Sequence, residues 1–398
     1  MTTTAPRPIY LDYQATTPVD ERVMATMTPF FTQAFGNPHS TSHSYGWEAR
    51  DAVEEARTQI ATMINAEPRE VIFTSGATES NNMAIKGVGR FFAGRKNHMV
   101  ALKTEHKCVL ESIKYMQRHD IDVTWLDVNS DGLVDPDAVA AAIRPDTALV
   151  SVMLVNNEIG VIQPLAEIGA ICRAQGAYLH TDAAQAAGKV AIDVQAMNID
   201  LMSLSGHKMY GPMGVGALYM RRKPRVRLEP LFDGGGQERT MRSGTLPAPL
   251  VVGFGKAAEI ISEDLVQEST RIRDLRYRLL KGLQQRVPDT FLNGSEVERV
   301  SGNINISIRG VDSEVLMAAL DGKVALSSGS ACTSTSVEPS YVLRAIGLSD
   351  EDAHSSVRMC VGRMTTSDEI DQAITAISSA VEELRDAGAA MNVASASG

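Results

Sequence analysis

The sequence predicts an α/β fold, a mostly parallel seven-stranded sheet with helices on both faces, joined to a smaller α+β domain. Three observations lead there. Between about residues 70 and 220, short apolar runs bounded by turn residues alternate with amphipathic segments. Those runs lack the apolar–polar alternation of a sheet with one wet face, so both faces are covered. After a long, charge-rich helical stretch at 247–285 the pattern changes, with an alternating strand and amphipathic helices following. At 398 residues there is chain enough for one large and one small domain.

In order along the chain, an extended start at 9–13 leads to Gly36-Asn37-Pro38-His39-Ser40, a loop signal. Ser44 is placed to cap a helix over about 46–65, with Val53, Ala56, Ile60 and Met63 at helical spacing and Pro68 as the breaker. Strands are expected at 71–74, 98–102, 123–126, 148–154, 177–181, 199–204 and 215–220. Helices are expected from the Ser75 turn to about 88, then at 107–118, 136–143 and 165–175. Beyond the long helix come a half-exposed strand at 303–308, a capped helix at 313–320 and a closing helix at 367–386. Residues 387–398 are small and polar and are expected to fray. The domain division expected is 16–260 for the large unit, with 1–15 and 261–398 forming the small one.

A hydrophobic content of 44% with 22% charged residues belongs to an ordinary globular chain. The net charge of −10 argues against binding nucleic acid or an anionic membrane. The basic run Arg221-Arg222-Lys223-Pro224-Arg225-Val226-Arg227 is either a solvated turn or a docking patch for an acidic partner. Cys108, Cys172, Cys332 and Cys360 show no paired spacing, so neither a metal site nor a disulfide framework is expected, in keeping with a reducing compartment. No secretory leader, amphipathic presequence or membrane-length apolar run is evident, and a cytoplasmic location is expected.

Polar residues collect where strands end, which is where ligands bind in an open parallel sheet. Ser75-Gly76-Ala77-Thr78 joins a strand to a helix, so its N–H groups either bind a phosphate or are merely capped. Asp182 ends another strand, as a helix cap or as partner to a protonated pyridine nitrogen. His106 can stack on an aromatic ring or be a hydrogen-bonded loop residue, and Asn156-Asn157-Glu158 offers amide donors. Lys208 lies between two apolar strands, beside Ser205 and His207. It is either a solvated charge or an amine whose pKa is lowered by desolvation so that it can bind a carbonyl cofactor as a Schiff base. Together, a phosphate cradle, a pyridinium partner, a stacking histidine and a lysine specify pyridoxal phosphate better than any one of them. Cys332 sits in the polar run Ser327-Ser328-Gly329-Ser330-Ala331-Cys332-Thr333-Ser334, where nothing packs around it. That suits a nucleophilic thiol on a tether. Cys108, Cys172 and Cys360 stand in apolar periodic contexts and are expected to be inert.

Ser205-Gly206-His207-Lys208, the Cys332 run and Ser75-Gly76-Ala77-Thr78-Glu79-Ser80 resemble the pyridoxal-phosphate-dependent cysteine desulfurases. So do Tyr10-Leu11-Asp12-Tyr13-Gln14-Ala15-Thr16-Thr17-Pro18, Phe35-Gly36-Asn37-Pro38-His39-Ser40, Val155-Asn156-Asn157-Glu158-Ile159-Gly160 and Met241-Arg242-Ser243-Gly244-Thr245-Leu246-Pro247. The resemblance runs from about residue 9 to 387. The long cysteine loop, about 326–337, followed by Glu338-Pro339-Ser340-Tyr341, is similar to the housekeeping and nitrogen-fixation branch. The chain departs from many relatives in having Ala184 where they carry threonine.

The resemblance implies a class V aminotransferase homodimer of fold type I. Lys208 would bind the cofactor covalently, Asp182 would pair with its pyridine nitrogen, Gln185 would meet the ring hydroxyl and His106 would stack on the ring. Ala77, Thr78, Ser205 and His207 would hold the phosphate, joined by Thr245 of the other subunit. Asn157 and Arg358 would grip the substrate carboxylate, with Asn37 close by. Lys208, His106 and Cys332 would be catalytic. L-Cysteine would be converted to L-alanine, leaving a persulfide on Cys332 for an iron–sulfur scaffold or other acceptor protein and for duties such as tRNA thiolation. A transaminase would not need Cys332 and its tether, and a catalytically idle scaffold homologue would be expected to have lost the lysine or the cysteine, both of which are present.

Overall fold

The structure, a computed structural model, describes residues 7–328 and 338–396, with side chains through Gly388. The chain enters on the short strand β1 (Ile9–Tyr10) and then builds a large sheet. Its strands are β2 (Val71–Thr74), β3 (His98–Leu102), β4 (Asp122–Leu126), β5 (Thr147–Ser151), β6 (Tyr178–Asp182), β7 (Leu201–Ser205) and β8 (Gly216–Met220). The spatial order is β2-β8-β7-β6-β5-β3-β4, and only β8 runs antiparallel to its neighbours. Every residue of β2, β3, β5 and β7 is buried, while the edge strand β4 is partly exposed. The continuous apolar runs are therefore a consequence of two covered faces.

One face packs against Ile60, Val251, Phe254 and Ile261, the other against Met83, Val88, Val109 and Ile113. The helix Ala248–Arg286 spans 39 residues. Its first half enters the large-sheet core, and its second half, through Leu275, Leu279 and Leu283, enters another core. That second core covers an antiparallel sheet of order β12-β13-β10-β9, formed by β9 (Thr290–Leu292), β10 (Asn303–Ile308), β12 (Ser327–Ser328) and β13 (Ser356–Cys360). The strand β11 (Val324–Ala325) pairs in parallel with β1, which brings Leu11 into the second core.

Three readings need correction. β10 is wholly buried rather than half exposed. Its polar positions point into a buried network: Asn303 and Asn305 donate to the Glu158 carbonyl at 3.1 and 3.2 Å, and Ser307 bonds Asn293 and Ser356. The helix Ser44–Met63 is capped by His43, whose Nδ1 accepts from the Gly46 N–H, and Ser44 is its first residue. The closing helix runs Ser367–Ala396, through residues expected to fray. The short helices Glu21–Met27, Pro29–Thr32, Tyr341–Ala345 and Asp350–His354 carry too few periodic positions to be read from sequence. Among the described residues, no helix is long and apolar enough to cross a membrane.

Candidate active site

The carboxyl ends of the central strands open on one cavity of about 660 Å³. Lys208 reaches it from the single turn Gly206–Lys208, which links β7 to its antiparallel neighbour β8. Its Nζ donates to the carbonyls of Gln14 and Ala15, both at 2.7 Å. The amine is thus held by neutral acceptors that can release it.

Across the cavity, β2 passes into the helix Ala77–Phe92 through Gly76, at φ +151° and without a side-chain cap on the helix. Gly76, Ala77 and Thr78 all line the cavity. The turn lies against β8 because Gly216 has no side chain: a Cβ there would stand 2.4 Å from the Leu204 carbonyl oxygen and 2.6 Å from the Gly76 Cα. Uncapped first-turn N–H groups with room before them suit a phosphate. Ser205 and His207 share the cavity wall. The His207 Nδ1 lies 3.1 Å from the Thr16 hydroxyl. Burial, with Lys208 and Lys189 nearby, pushes its pKa down to about 4, so it is neutral at physiological pH.

Asp182 ends β6, buried, and accepts from Asn81 Nδ2 at 2.7 Å and from the Ala184 N–H at 2.9 Å. A turn follows it and no helix, so the helix-cap alternative is set aside. His106 is itself the cap of the helix Lys107–Gln117, with Nδ1 accepting from the Cys108 N–H at 3.2 Å. The same Nδ1 lies 3.0 Å from Cys108 Sγ, and Asn81 Nδ2 lies 3.1 Å from that sulfur. Cys108 is half-buried and lines the cavity while also packing against the core of the second sheet face, because it falls on the first turn of its helix, at the strand-end level. His106, Cys108 and Asp182 place donor atoms within 4.8 Å of one another, but Asn81 already ties the sulfur to the carboxylate. Cys172 and Cys360 are buried, and burial raises the Cys360 pKa to about 11.

Gln185 donates to the Gln14 carbonyl at 2.8 Å. Arg358, on β13, donates to the Asn157 carbonyl at 2.9 Å, to Asp12 at 2.8 Å and to the Ser327 hydroxyl at 3.2 Å. Among the described residues, three buried polar atoms of the cavity have no hydrogen-bond partner: Gln14 Nε2, Asn157 Oδ1 and Arg358 Nε. Such orphans are costly in an apolar wall and point to a polar ligand.

The structure thus gathers Ala77, Thr78, His106, Asn157, Asp182, Gln185, Ser205, His207, Lys208 and Arg358 around one space. Asn37 and Thr245 are exposed and do not line it. Cys332 lies outside the described residues, as does most of its loop. Residues following that loop, Glu338 to Tyr341, form part of the cavity rim. Sequence reasoning missed Gln14, whose carbonyl holds the lysine, and the side chain of Glu158. Glu158 is buried, lines the cavity and accepts from the Ser340 hydroxyl at 2.5 Å. Burial raises its pKa to about 7, against the opposing pull of Ser340 and Arg358. The buried glutamate next to an asparagine pair was the available signal.

Comparison with known proteins agrees with this geometry. A family model, aminotransferase class-V, matches residues 9–373. The chain is 59% identical over 380 residues to "Cysteine desulfurase, mitochondrial" of Eremothecium gossypii, covering 96% of this chain and 77% of that protein. It is 54% identical over 378 residues to "Cysteine desulfurase IscS" of Rickettsia rickettsii, covering 95% and 92%. A solved structure, "SspA in complex with cysteine", superposes with a TM-score of 0.80 at 37% identity, covering 90% of this chain and 99% of that one. Class V aminotransferases are pyridoxal-phosphate enzymes, and the amine, the carboxylate and the uncapped helix start found here fit that cofactor. With its α/β fold, its strand-end cavity and a family match over most of its length, the chain belongs to the aminotransferase class-V family.

Proposed function

We propose that the protein is a pyridoxal-phosphate-dependent cysteine desulfurase that converts L-cysteine to L-alanine and keeps the sulfur as a persulfide on Cys332. The observation that carries this reading is the placement of Lys208, Asp182 and the Gly76 turn around a single cavity. The names of the relatives and the cysteine complex of the neighbouring structure support the substrate.

Bound there, the cofactor supplies an electron sink for the substrate's α-carbon. Asp182 holds a positive charge at the pyridine nitrogen, Gln185 meets the ring hydroxyl and His106 covers the ring. Ala77, Thr78, Ser205 and His207 hold the phosphate. The Lys208 Nζ leaves the Gln14 and Ala15 carbonyls to take the proton from Cα and return it. Arg358 grips the substrate carboxylate with its planar fork, next to Asn157. The Cys332 thiolate attacks the substrate sulfur; the carbon–sulfur bond breaks and its electron pair, with a proton, stays on the carbon product. His106 serves proton movements on substrate and product.

In this reading Thr245 of a second copy of the chain joins the groups that hold the phosphate, and Asn37 stands close to the substrate carboxylate. The acceptor is an iron–sulfur scaffold or another sulfur-receiving protein, in the cytoplasm, and the division at about residue 260 separates the cofactor unit from the unit bearing Cys332. The test is sulfide and alanine release from L-cysteine with a thiol reductant, following the visible absorbance. Wild type should turn over, Cys332→Ala should perturb the absorbance on adding cysteine yet release no sulfide, and Lys208→Ala, without the group that moves the Cα proton, should release neither sulfide nor alanine. Normal turnover by Cys332→Ala would remove Cys332 as acceptor.

A further inference from the structure

Lys189 is a charged group beside the site that the scheme above leaves without a task. Its ammonium donates to Gln185 Oε1 at 3.1 Å and approaches the Lys208 carbonyl oxygen at 3.5 Å. Among the described residues it forms no ion pair with a carboxylate. Although the residue keeps some exposed surface, atoms crowd the ammonium enough to push its pKa down to about 8, with Lys208 and Arg358 adding to the effect and Cys360 opposing it. The charged and titratable groups around it are Lys208 and His207 on the turn, and Arg358 and Cys360 on β13, with Asp12 engaged by Arg358.

Two consequences follow from its chemistry. An ammonium only donates, so the Gln185 oxygen must face Lys189 and the Gln185 NH₂ must face the other way. That NH₂ donates to the same Gln14 carbonyl that accepts from Lys208 Nζ. A closed ring of contacts therefore runs Lys208, Gln14, Gln185, Lys189 and back to the Lys208 backbone. Also, a second cation near an amine disfavours the protonated form of that amine.

We propose that Lys189 is a positioning residue for the cofactor lysine: it fixes the Gln185 amide with its donor edge toward the cavity and adds a positive charge behind Lys208, keeping that nitrogen deprotonated near neutral pH. This rests on the reading of Lys208 as the cofactor lysine.

The experiment is a pH titration of the visible band of the resting, cofactor-loaded enzyme, paired with the pH dependence of cofactor recapture by cofactor-free protein. In Lys189→Met both midpoints should rise by about one pH unit. Lys189→Arg should return them toward wild type. Lys189→Gln keeps a donor for Gln185 without the charge, and it should show the raised midpoints too, which covers a methionine variant that does not fold. A merely structural lysine would alter melting temperature and leave the midpoints in place. Unchanged midpoints in Lys189→Met or Lys189→Gln, with Lys208→Ala losing the pH-dependent shift of the band, overturn this inference alone. A band that titrates in Lys208→Ala as in wild type overturns the assignment of Lys208, and the inference with it.

Discussion

Substituting Glu158 by glutamine should make the protein more stable at alkaline pH and leave it unchanged at acidic pH. In the folded state the Glu158 pKa is raised from its ordinary value near 4.5 to about 7, chiefly by burial. A carboxyl whose folded pKa is raised holds its proton longer in the native than in the unfolded chain, so stability falls as pH rises through that interval. Below about pH 4.5 both states are protonated and there is no penalty; above about pH 7 the penalty is complete. The interval corresponds to about 3 kcal/mol. With an unfolding entropy of about 2.1 cal/mol/K per residue over 398 residues, that is about 4 °C in Tm. The substituted amide would stay neutral throughout, while its oxygen still accepts from Ser340. The assay is thermal unfolding of both proteins from pH 5 to pH 8.5. Taking the difference between variant and wild type cancels the titration of Glu105, also pushed up by burial. A difference that does not grow with pH would refute the argument.

Other substitutions probe the buried framework and the site. Arg57→Met leaves Glu238 buried without the two 2.8 Å hydrogen bonds that compensate it, and should lower stability by about 3–5 kcal/mol, read as a fall of roughly 4–6 °C in Tm. Gly216→Ala forces a methyl group against the Leu204 carbonyl and Gly76, and should weaken cofactor retention in equilibrium dialysis by roughly 5- to 150-fold, as expected for about 1–3 kcal/mol of overpacking. Arg358→Lys keeps the charge and loses the fork, so the KM for L-cysteine should rise roughly 10- to 100-fold with a smaller effect on kcat.

The elements most legible in the sequence were those whose local signals agreed with their surroundings. β2, β3 and the helix Leu165–Gln175 fall where apolar runs and helical spacing place them, because burial on both sides leaves those runs no competing reading. β10 misled because alternation reports polarity and not exposure: Asn303, Asn305 and Ser307 are polar for the sake of buried partners. Thr78, His106, Asn157, Asp182 and Lys208 were legible as strand-end polar groups, and their sum as a cofactor set, whereas Gln185 and Arg358 were reached only through the family resemblance. Their mutual contacts were not legible. Gln14 and Lys208 are separated by 194 positions, Arg358 and Asp12 by 346, and nothing local in either stretch names its partner. Cys108 was hidden for a related reason, since a residue one step inside a helix looks periodic even when its sulfur faces a ligand space.

The place of β8 in the sheet also sets an order of assembly. It separates β2 from β7, pairing Thr74 with Gly216 on one side and Ser205 with Gly216 on the other. During synthesis, therefore, the helix start after β2 and the lysine turn after β7 have no fixed relation until residues 216–220 have emerged and inserted. The helix start that offers the phosphate its backbone N–H groups is made early, and the strand that aligns it with the amine is made late. Such long-range pairing closes slowly, because the loop entropy is lost before the contacts repay it. Cofactor capture becomes a report that the sheet has been zipped shut, and chains truncated before Gly216 should emerge colourless however much cofactor surrounds them.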